Sequence, residues 1–283
     1  MNGNALKASR FYTKSNLKKR KDMELRIENL KKIYGEKVAL DIPALDIRSG
    51  ELVGLVGNNG AGKTTLLRLI LDLIKADSGR VLSDGQDVTG ATDDRPATFT
   101  SVENIAWKRY TGSFIDGRFL IDFYTPEEYF AFIGRLYGLT QETVDERLEQ
   151  FRLLVHDEVL GTKKYLRDFS EGNRQKIGII GAMMIRPKVL LLDEPFNYLD
   201  PSSQIVVARL IAELNRELGT TTIISSHNLS FVSDISTRIL LLEKGKVIKD
   251  LPNNEGSAIA ELNDYFNAES VIEQPSNEGA ESE

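Results

Sequence analysis

Hydrophobic spacing along the chain changes period repeatedly, and each change predicts an element. Leu25, Ile27 and Leu30 open a partly alternating strand, Val38 to Ile47 gives a second, and Leu52 to Val56 is a short apolar run typical of a buried strand. Lys63 to Ile74 follows at once and is apolar around most of its circumference, as a helix packed on several sides would be. Thr125-Pro126-Glu127-Glu128 supplies an N-cap, a proline at the first helical position and a Glu that can close a capping box, predicting a helix over Glu127 to Tyr137. Thr140 to Leu154 reads as another helix.

The second half repeats the alternation. Gly172 to Met184 is helical in pattern, Val189 to Leu192 is a buried strand, Pro201 to Leu218 is a helix opened by proline, and Thr221 to Ser225 is a strand. Arg238 to Glu243 and Lys246 to Lys249 form a hairpin around Lys244-Gly245. Strands alternating with helices at both ends imply an α/β fold with a parallel or mixed sheet covered by helices. The helical stretch 121–184 reads as an insertion on that sheet.

Composition narrows the class. The chain has 283 residues, 41% hydrophobic and 28% charged, enough for a sizeable core. Its longest uncharged apolar stretch, Ile177 to Ile185, falls well short of the roughly 20 residues a membrane span needs. There is no cysteine, which excludes disulfides, thiol catalysis and Cys-ligated zinc, and the two histidines, His156 and His227, are too few for a His-rich metal site. A reducing cytoplasm suits such a chain.

Net charge is −6 but uneven. Residues 1–22 carry seven Lys or Arg against one Asp, and residues 252–283 carry eight Asp or Glu without a Lys or Arg. The nearly balanced middle argues against duplex-DNA binding, and no nucleic-acid partner is expected. The first 22 residues lack an apolar core for secretion and read as a basic, disordered extension or the product of an upstream start codon, with a lipid- or RNA-touching arm as the sharper alternative. The folded unit is expected over 23–251, with an acidic segment over 252–283 that is disordered from about 267.

Chemistry concentrates at two places. Gly57-Asn58-Asn59-Gly60-Ala61-Gly62-Lys63-Thr64, followed by Thr65, fits G-x-x-x-x-G-K-[ST] between an apolar strand and a helix. The glycines let successive N–H groups face one anion, the helix start adds its positive end, Lys63 places a charge on phosphate, and Thr64 offers a hydroxyl to Mg²⁺. Asp193 ends a buried strand where an open α/β sheet binds ligands, a place for a metal-holding carboxylate. Glu194 beside it can orient or deprotonate an attacking water.

With these motifs in order, residues 24–250 resemble the ATP-binding cassette (ABC) family. Tyr34 matches the aromatic that stacks on adenine, Gly57 to Thr64 the Walker A loop, and Leu190 to Pro195 the Walker B strand with catalytic Glu194. Asn197 to Asp200 is similar to the D-loop, and Ser225-Ser226-His227 to the switch histidine. The signature, usually Leu-Ser-Gly-Gly-Gln, stands as Phe169-Ser170-Glu171-Gly172-Asn173, keeping Ser170 and Gly172 for a second subunit's γ-phosphate while Glu171 adds a charge. The Q-loop glutamine is replaced by Asp116 in this alignment, making Asp116 a further metal-site candidate beside Thr64 and Asp193.

The resemblance implies a P-loop NTPase core with a mixed, largely parallel sheet, N-terminal antiparallel strands and an inserted α-helical subdomain. It implies ATP and Mg²⁺ as cofactors, and catalysis by Glu194, His227 and Lys63. It implies a second ATPase subunit and a separate transmembrane permease, with the chain cytoplasmic and peripheral at the inner face of the membrane. Tyr124 to Leu139 is most similar to ATPases of bacterial drug or peptide exporters. Two other readings stay open: a soluble ABC clamp, and a nucleotide-gated module of low turnover. Trp107 is expected to pack rather than stack on a base, and His156 to be a surface residue.

Overall fold

The computed structural model describes residues 23–89, 102–155, 158–254 and 256–272. The expectations for residues 1–22, for 273–283 of the acidic segment and for His156 lie outside the described residues. Among those described, two sheets form. Strands β1 (Met23–Tyr34), β2 (Lys37–Arg48), β4 (Ser78–Ser83) and β5 (Gln86–Asp87) make a four-stranded sheet in the order β2-β1-β4-β5, with all neighbours antiparallel. Strands β3 (Leu52–Val56), β6 (Thr111–Phe114), β7 (Val189–Asp193), β8 (Thr221–Ser226), β9 (Arg238–Glu243) and β10 (Lys246–Pro252) make a six-stranded sheet in the order β10-β9-β3-β8-β7-β6. It is parallel except for the antiparallel β9/β10 hairpin.

The uninterrupted apolar runs of β3 and β7 follow from burial of both faces. Side-chain alternation sends Leu190 and Leu192 into one core and Val189 and Leu191 into the other. The second core lies between the two sheets and holds helix α1 (Lys63–Ile70), whose Leu66, Leu67, Leu69 and Ile70 meet Ile27, Leu40 and Ile42 of the small sheet. That packing accounts for a helix apolar on nearly every side. Trp107 is buried there at 3% exposure, as a packing residue.

Between β6 and β7 lie α2 (Pro126–Leu136), α3 (Gln141–Glu149), α4 (Arg152–Val155) and α5 (Glu171–Met183). The capping box at α2 forms: the Thr125 hydroxyl accepts from the Glu128 N–H and the Glu128 carboxylate accepts from the Thr125 N–H. Helix α6 (Pro201–Leu218) begins at Asp200, whose carboxylate accepts the Ser203 N–H, and ends at Gly219. Two helices follow, α7 (Leu229–Ile235) after β8 and α8 (Ala258–Ile272) after β10.

Several features differ from the sequence pattern. Helix α1 stops at Ile70 because the chain turns at Asp72, which has φ 54°. The predicted helix Thr140 to Leu154 divides into α3 and α4, with Phe151 buried at the break. Strands β4, β5 and β6 were not visible as alternations. Helix α8 carries the backbone through Asn267 to Ile272, past the point where the composition predicts disorder.

Candidate functional site: a glycine-rich loop beside two carboxylates

The parallel strands bring three chain segments to one sheet edge, since Gly57 follows β3, Asp193 ends β7 and His227 follows β8. Helix α1 begins at Gly62, which has φ 110° and no side-chain cap. A Cβ there would lie 2.8 Å from the Ala39 carbonyl oxygen, so glycine serves both the backbone angle and the close approach of β2. The first N–H groups of α1 are left without a side-chain acceptor, the arrangement that receives an anion.

A cavity of about 320 Å³ opens over this loop, lined by residues 59–65 together with Tyr34, Lys37, Ala39 and Glu194. Tyr34 is 51% exposed at its edge, with the Lys32 ammonium 5.2 Å from the ring centre, leaving a ring face available to a flat group. Lys37 and Ala39 carry no functional signal in the sequence. They reach the cavity because β2 packs against the loop, a tertiary contact without a local signal.

Lys63 is buried, and its ammonium donates to the Gly57 carbonyl at 2.7 Å and to the Asn58 carbonyl at 3.4 Å. It also stands 3.5 Å from Oε1 of Glu194. The other oxygen, Oε2, is 2.9 Å from Nδ1 of His227 and accepts the His227 backbone N–H at 3.3 Å. Glu194 itself has φ 46°, and its N–H donates to the Ser225 hydroxyl at 2.9 Å. The expected catalytic residues Lys63, Glu194 and His227 are therefore one contiguous cluster.

Asp193 is buried at 7% exposure. Burial pushes its carboxyl above the ordinary 3.8, while hydrogen bonds donated by the Ser225 and Thr64 hydroxyls pull it down. A carboxylate short of solvent and joined to a hydroxyl is a hard-oxygen pair suited to Mg²⁺, so Thr64 and Asp193 fit that ion. Among the described residues no group of three or more His, Asp or Glu could hold a metal alone. Phosphate or water oxygens would have to complete the shell. In sequence Ser225 belongs only to the histidine motif; its pairing with Asp193 across β7 and β8 gives it this second contact.

Asp116, two residues beyond β6, is held by a different partner. It is not among the residues lining the cavity. Its carboxylate is forked onto Arg118, at 2.9 Å from Nε and 2.6 Å from Nη2, and accepts the Arg118 N–H at 2.8 Å. The Arg118 contacts hold its carboxyl below the ordinary range. The structure thus uses this residue to cap the short 3-10 turn Gly117–Phe119.

Ser170 and Gly172 do not line the cavity either. Ser170 caps α5, its hydroxyl accepting the Asn173 N–H at 3.3 Å. A Cβ at Gly172 would lie 2.6 Å from the Tyr198 carbonyl oxygen, so this glycine lets 197–200 pack on the start of α5. Glu171 turns toward Gly117 and Arg174: a methyl at Gly117 would lie 3.8 Å from its Oε2. Arg174 donates to the Gly117 carbonyl at 2.8 Å and pairs with Asp122 at 2.9 Å, binding the turn to α5.

Comparison with known proteins agrees with this geometry. A family described as ABC transporter matches residues 40–197. The chain is 31% identical over 230 residues to a methionine import ATP-binding protein of Rhizobium johnstonii, covering 80% of this chain and 60% of that one. It is 36% identical over 233 residues to a probable sulfate/thiosulfate import ATP-binding protein of Chlorella vulgaris, covering 80% and 90%. A solved dimeric ATP-binding cassette in a post-hydrolysis state with ADP and phosphate aligns with TM-score 0.70 and 25% identity, over 81% of this chain and 99% of that chain.

Proposed function

This chain belongs to the ABC transporter family, and from that premise we propose that it is the ATP-hydrolysing subunit of a transporter whose membrane path lies in a separate permease. The observation that carries the reading is the cluster beneath the glycine-rich loop, where Lys63 and His227 hold the two oxygens of one carboxylate, Glu194. No helix among the described residues is long and apolar enough to cross a membrane, which fits a partner that supplies the path. The chain then works in the cytoplasm, peripheral to the inner face of the membrane.

The chemistry is transfer of a phosphoryl group to water, which needs positioning and charge neutralisation more than covalent participation. The N–H groups at 59–65 and Lys63 bind the phosphates, and Tyr34 offers a stacking face to the base. Thr64 and Asp193 would hold Mg²⁺, which when bound neutralises phosphate charge. Glu194 orients the attacking water and takes its proton, while His227 fixes that carboxylate and contacts the γ-phosphate. Ser170 and Gly172 do not line the chain's own cavity, so they are assigned to the nucleotide held by a second ATPase subunit.

The direction of transport has two readings. The similarity of Tyr124 to Leu139 to exporter ATPases supports export, our preferred reading. The two named relatives act in import, and that is the second reading. The test of the ATPase is steady-state phosphate release against protein concentration, with Glu194→Gln alongside and size exclusion in ATP. Specific activity that rises with concentration, no turnover in Glu194→Gln and an ATP-trapped dimer are expected. Turnover that persists in Glu194→Gln overturns the assignment. Uptake against efflux in vesicles containing the co-purified permease distinguishes the directions.

A further inference from the structure

Gln175 has no part in the chemistry above, yet it touches the residue that does it. It lies on α5 just over one turn beyond Ser170 and is 7% exposed. Its amide nitrogen donates to the backbone carbonyl of Glu194 at 3.0 Å. A carbonyl oxygen has only lone pairs to offer, so the NH₂ end of the side chain must face it. Asn197 donates its N–H to the same oxygen at 3.1 Å.

Glu194 needs this support. At φ 46° it occupies the left-handed region, which a non-glycine residue keeps only when its surroundings hold it. Its N–H is tied to Ser225, and its carbonyl to Gln175 and Asn197. With both peptide groups fixed, the side chain leaves the backbone toward Lys63 and His227. Two further contacts seat the same helix on the same segment: Gly172 against the Tyr198 carbonyl, and Lys176 3.9 Å from Asp200.

We propose that Gln175 is a positioning residue for Glu194, holding the backbone of the general base so that its carboxylate lies between Lys63 and His227. The proposal rests on the reading of Glu194 as the base. Its consequence is a link between sites. The start of α5 carries Ser170 and Gly172, assigned to the partner subunit's nucleotide, while Gln175 grips the base that acts on the chain's own. Displacement of α5 at one site therefore reaches the base of the other directly through the Gln175 hydrogen bond.

The test compares the full-length chain with Gln175→Met, Gln175→Glu and Glu194→Gln. Met matches the volume without a donor. Glu keeps the shape and polarity but turns an acceptor toward the carbonyl, and it answers the question if the Met variant fails to fold. Misplacing a catalytic group by about 1 Å costs up to roughly a hundredfold in rate. A fall of about tenfold in kcat is expected for Gln175→Met and a larger one for Gln175→Glu, with KM for ATP within about twofold and the ATP-dependent dimer intact. A merely structural role in α5 would instead raise KM and weaken the dimer in step with kcat, which overturns the proposal. So does wild-type turnover in both Gln175 variants while Glu194→Gln is inactive, an outcome that leaves the base assignment standing. An active Glu194→Gln overturns the base assignment and the positioning proposal together.

Discussion

Nδ1 of His227 lies 2.9 Å from Oε2 of Glu194, while Nζ of Lys63 lies 3.5 Å from Oε1 of the same carboxylate. The two partners of this carboxylate differ in burial, the Lys63 side chain at 7% exposure and the His227 side chain at 58%. Lys63 is built into the loop, whereas His227 reaches in from the end of β8. Removing each should therefore have different kinetic signatures.

His227→Ala deletes an orienting partner while leaving the phosphate-binding loop whole. It should lower kcat by roughly a hundredfold, the scale of a positioned acid–base partner, with ATP affinity within about threefold. Lys63→Met removes both the phosphate-facing charge and the Oε1 contact, so it should weaken ATP binding at least about tenfold as well as stop turnover. Equilibrium binding of a fluorescent ATP analogue beside phosphate release separates the two effects. Equal losses of affinity in both variants would contradict the division of labour.

Asp193 makes stability depend on pH in the opposite direction to an ion-paired surface carboxylate. Burial raises its pKa in the folded state above the unfolded 3.8, so between those two values the folded chain binds more protons than the unfolded one. Stability from this group is present below 3.8 and is lost as pH rises through the folded value. Asp193→Asn should thus raise the melting temperature of the nucleotide-free protein at neutral pH and leave it less sensitive to pH across that window. The same substitution should abolish the stabilisation that Mg²⁺ with ATP gives the unsubstituted chain. Thermal melts in a pH series from just above 3.8 to neutrality, with and without the ligand, check both.

Much of this arrangement is legible in sequence because it is local. The glycine-rich loop, its flanking strand and the Asp193-Glu194 pair are contiguous, and the capping box at Thr125 follows from four adjacent residues. What escaped depends on pairing between distant segments. Thr111 to Phe114 has too few residues and too little alternation to mark a strand, and becomes one by lying parallel to β7. The Thr140 to Leu154 pattern continues through a helix break because Phe151 keeps the apolar spacing while turning into the core. Gln175 reads as an ordinary polar helix residue until α5 is set against the end of β7. The grip of Asp116 on Arg118 is likewise silent in sequence, where the alignment position alone marks Asp116 as a metal-site candidate.

Tyr198 offers a test of backbone strain. It has φ 63°, which a bulky aromatic rarely adopts, and its side chain is 71% exposed, so little burial offsets the cost. Asn tolerates this region better, whereas Gly gives back part of the gain by enlarging the unfolded ensemble. Tyr198→Asn should therefore stabilise the nucleotide-free chain by about 1 kcal/mol, a rise of roughly 2 °C in melting temperature. Tyr198→Gly should fall between Asn and the native residue. A melting temperature lowered by Asn would show that the ring makes a stabilising contact in solution.

Asp116 and Arg118 can be separated from the metal site by what each readout senses. The Asp116 carboxylate is satisfied by the guanidinium and by the Arg118 N–H, and neither Thr64 nor Asp193 contacts it in the interactions described for them. Asp116→Ala should leave the Mg²⁺ concentration for half-maximal ATPase activity within about twofold of the native value. It should, however, uncap the turn Gly117–Phe119 and free the guanidinium of Arg118, whose side chain is 81% exposed. Trypsin should then cleave after Arg118 several times faster in the variant, and Asp116→Asn, which keeps an acceptor for the Arg118 N–H but loses the charge, should be cleaved at an intermediate rate. A marked shift in Mg²⁺ dependence without a change in cleavage would place Asp116 at the metal in the working enzyme and make its grip on Arg118 a resting arrangement.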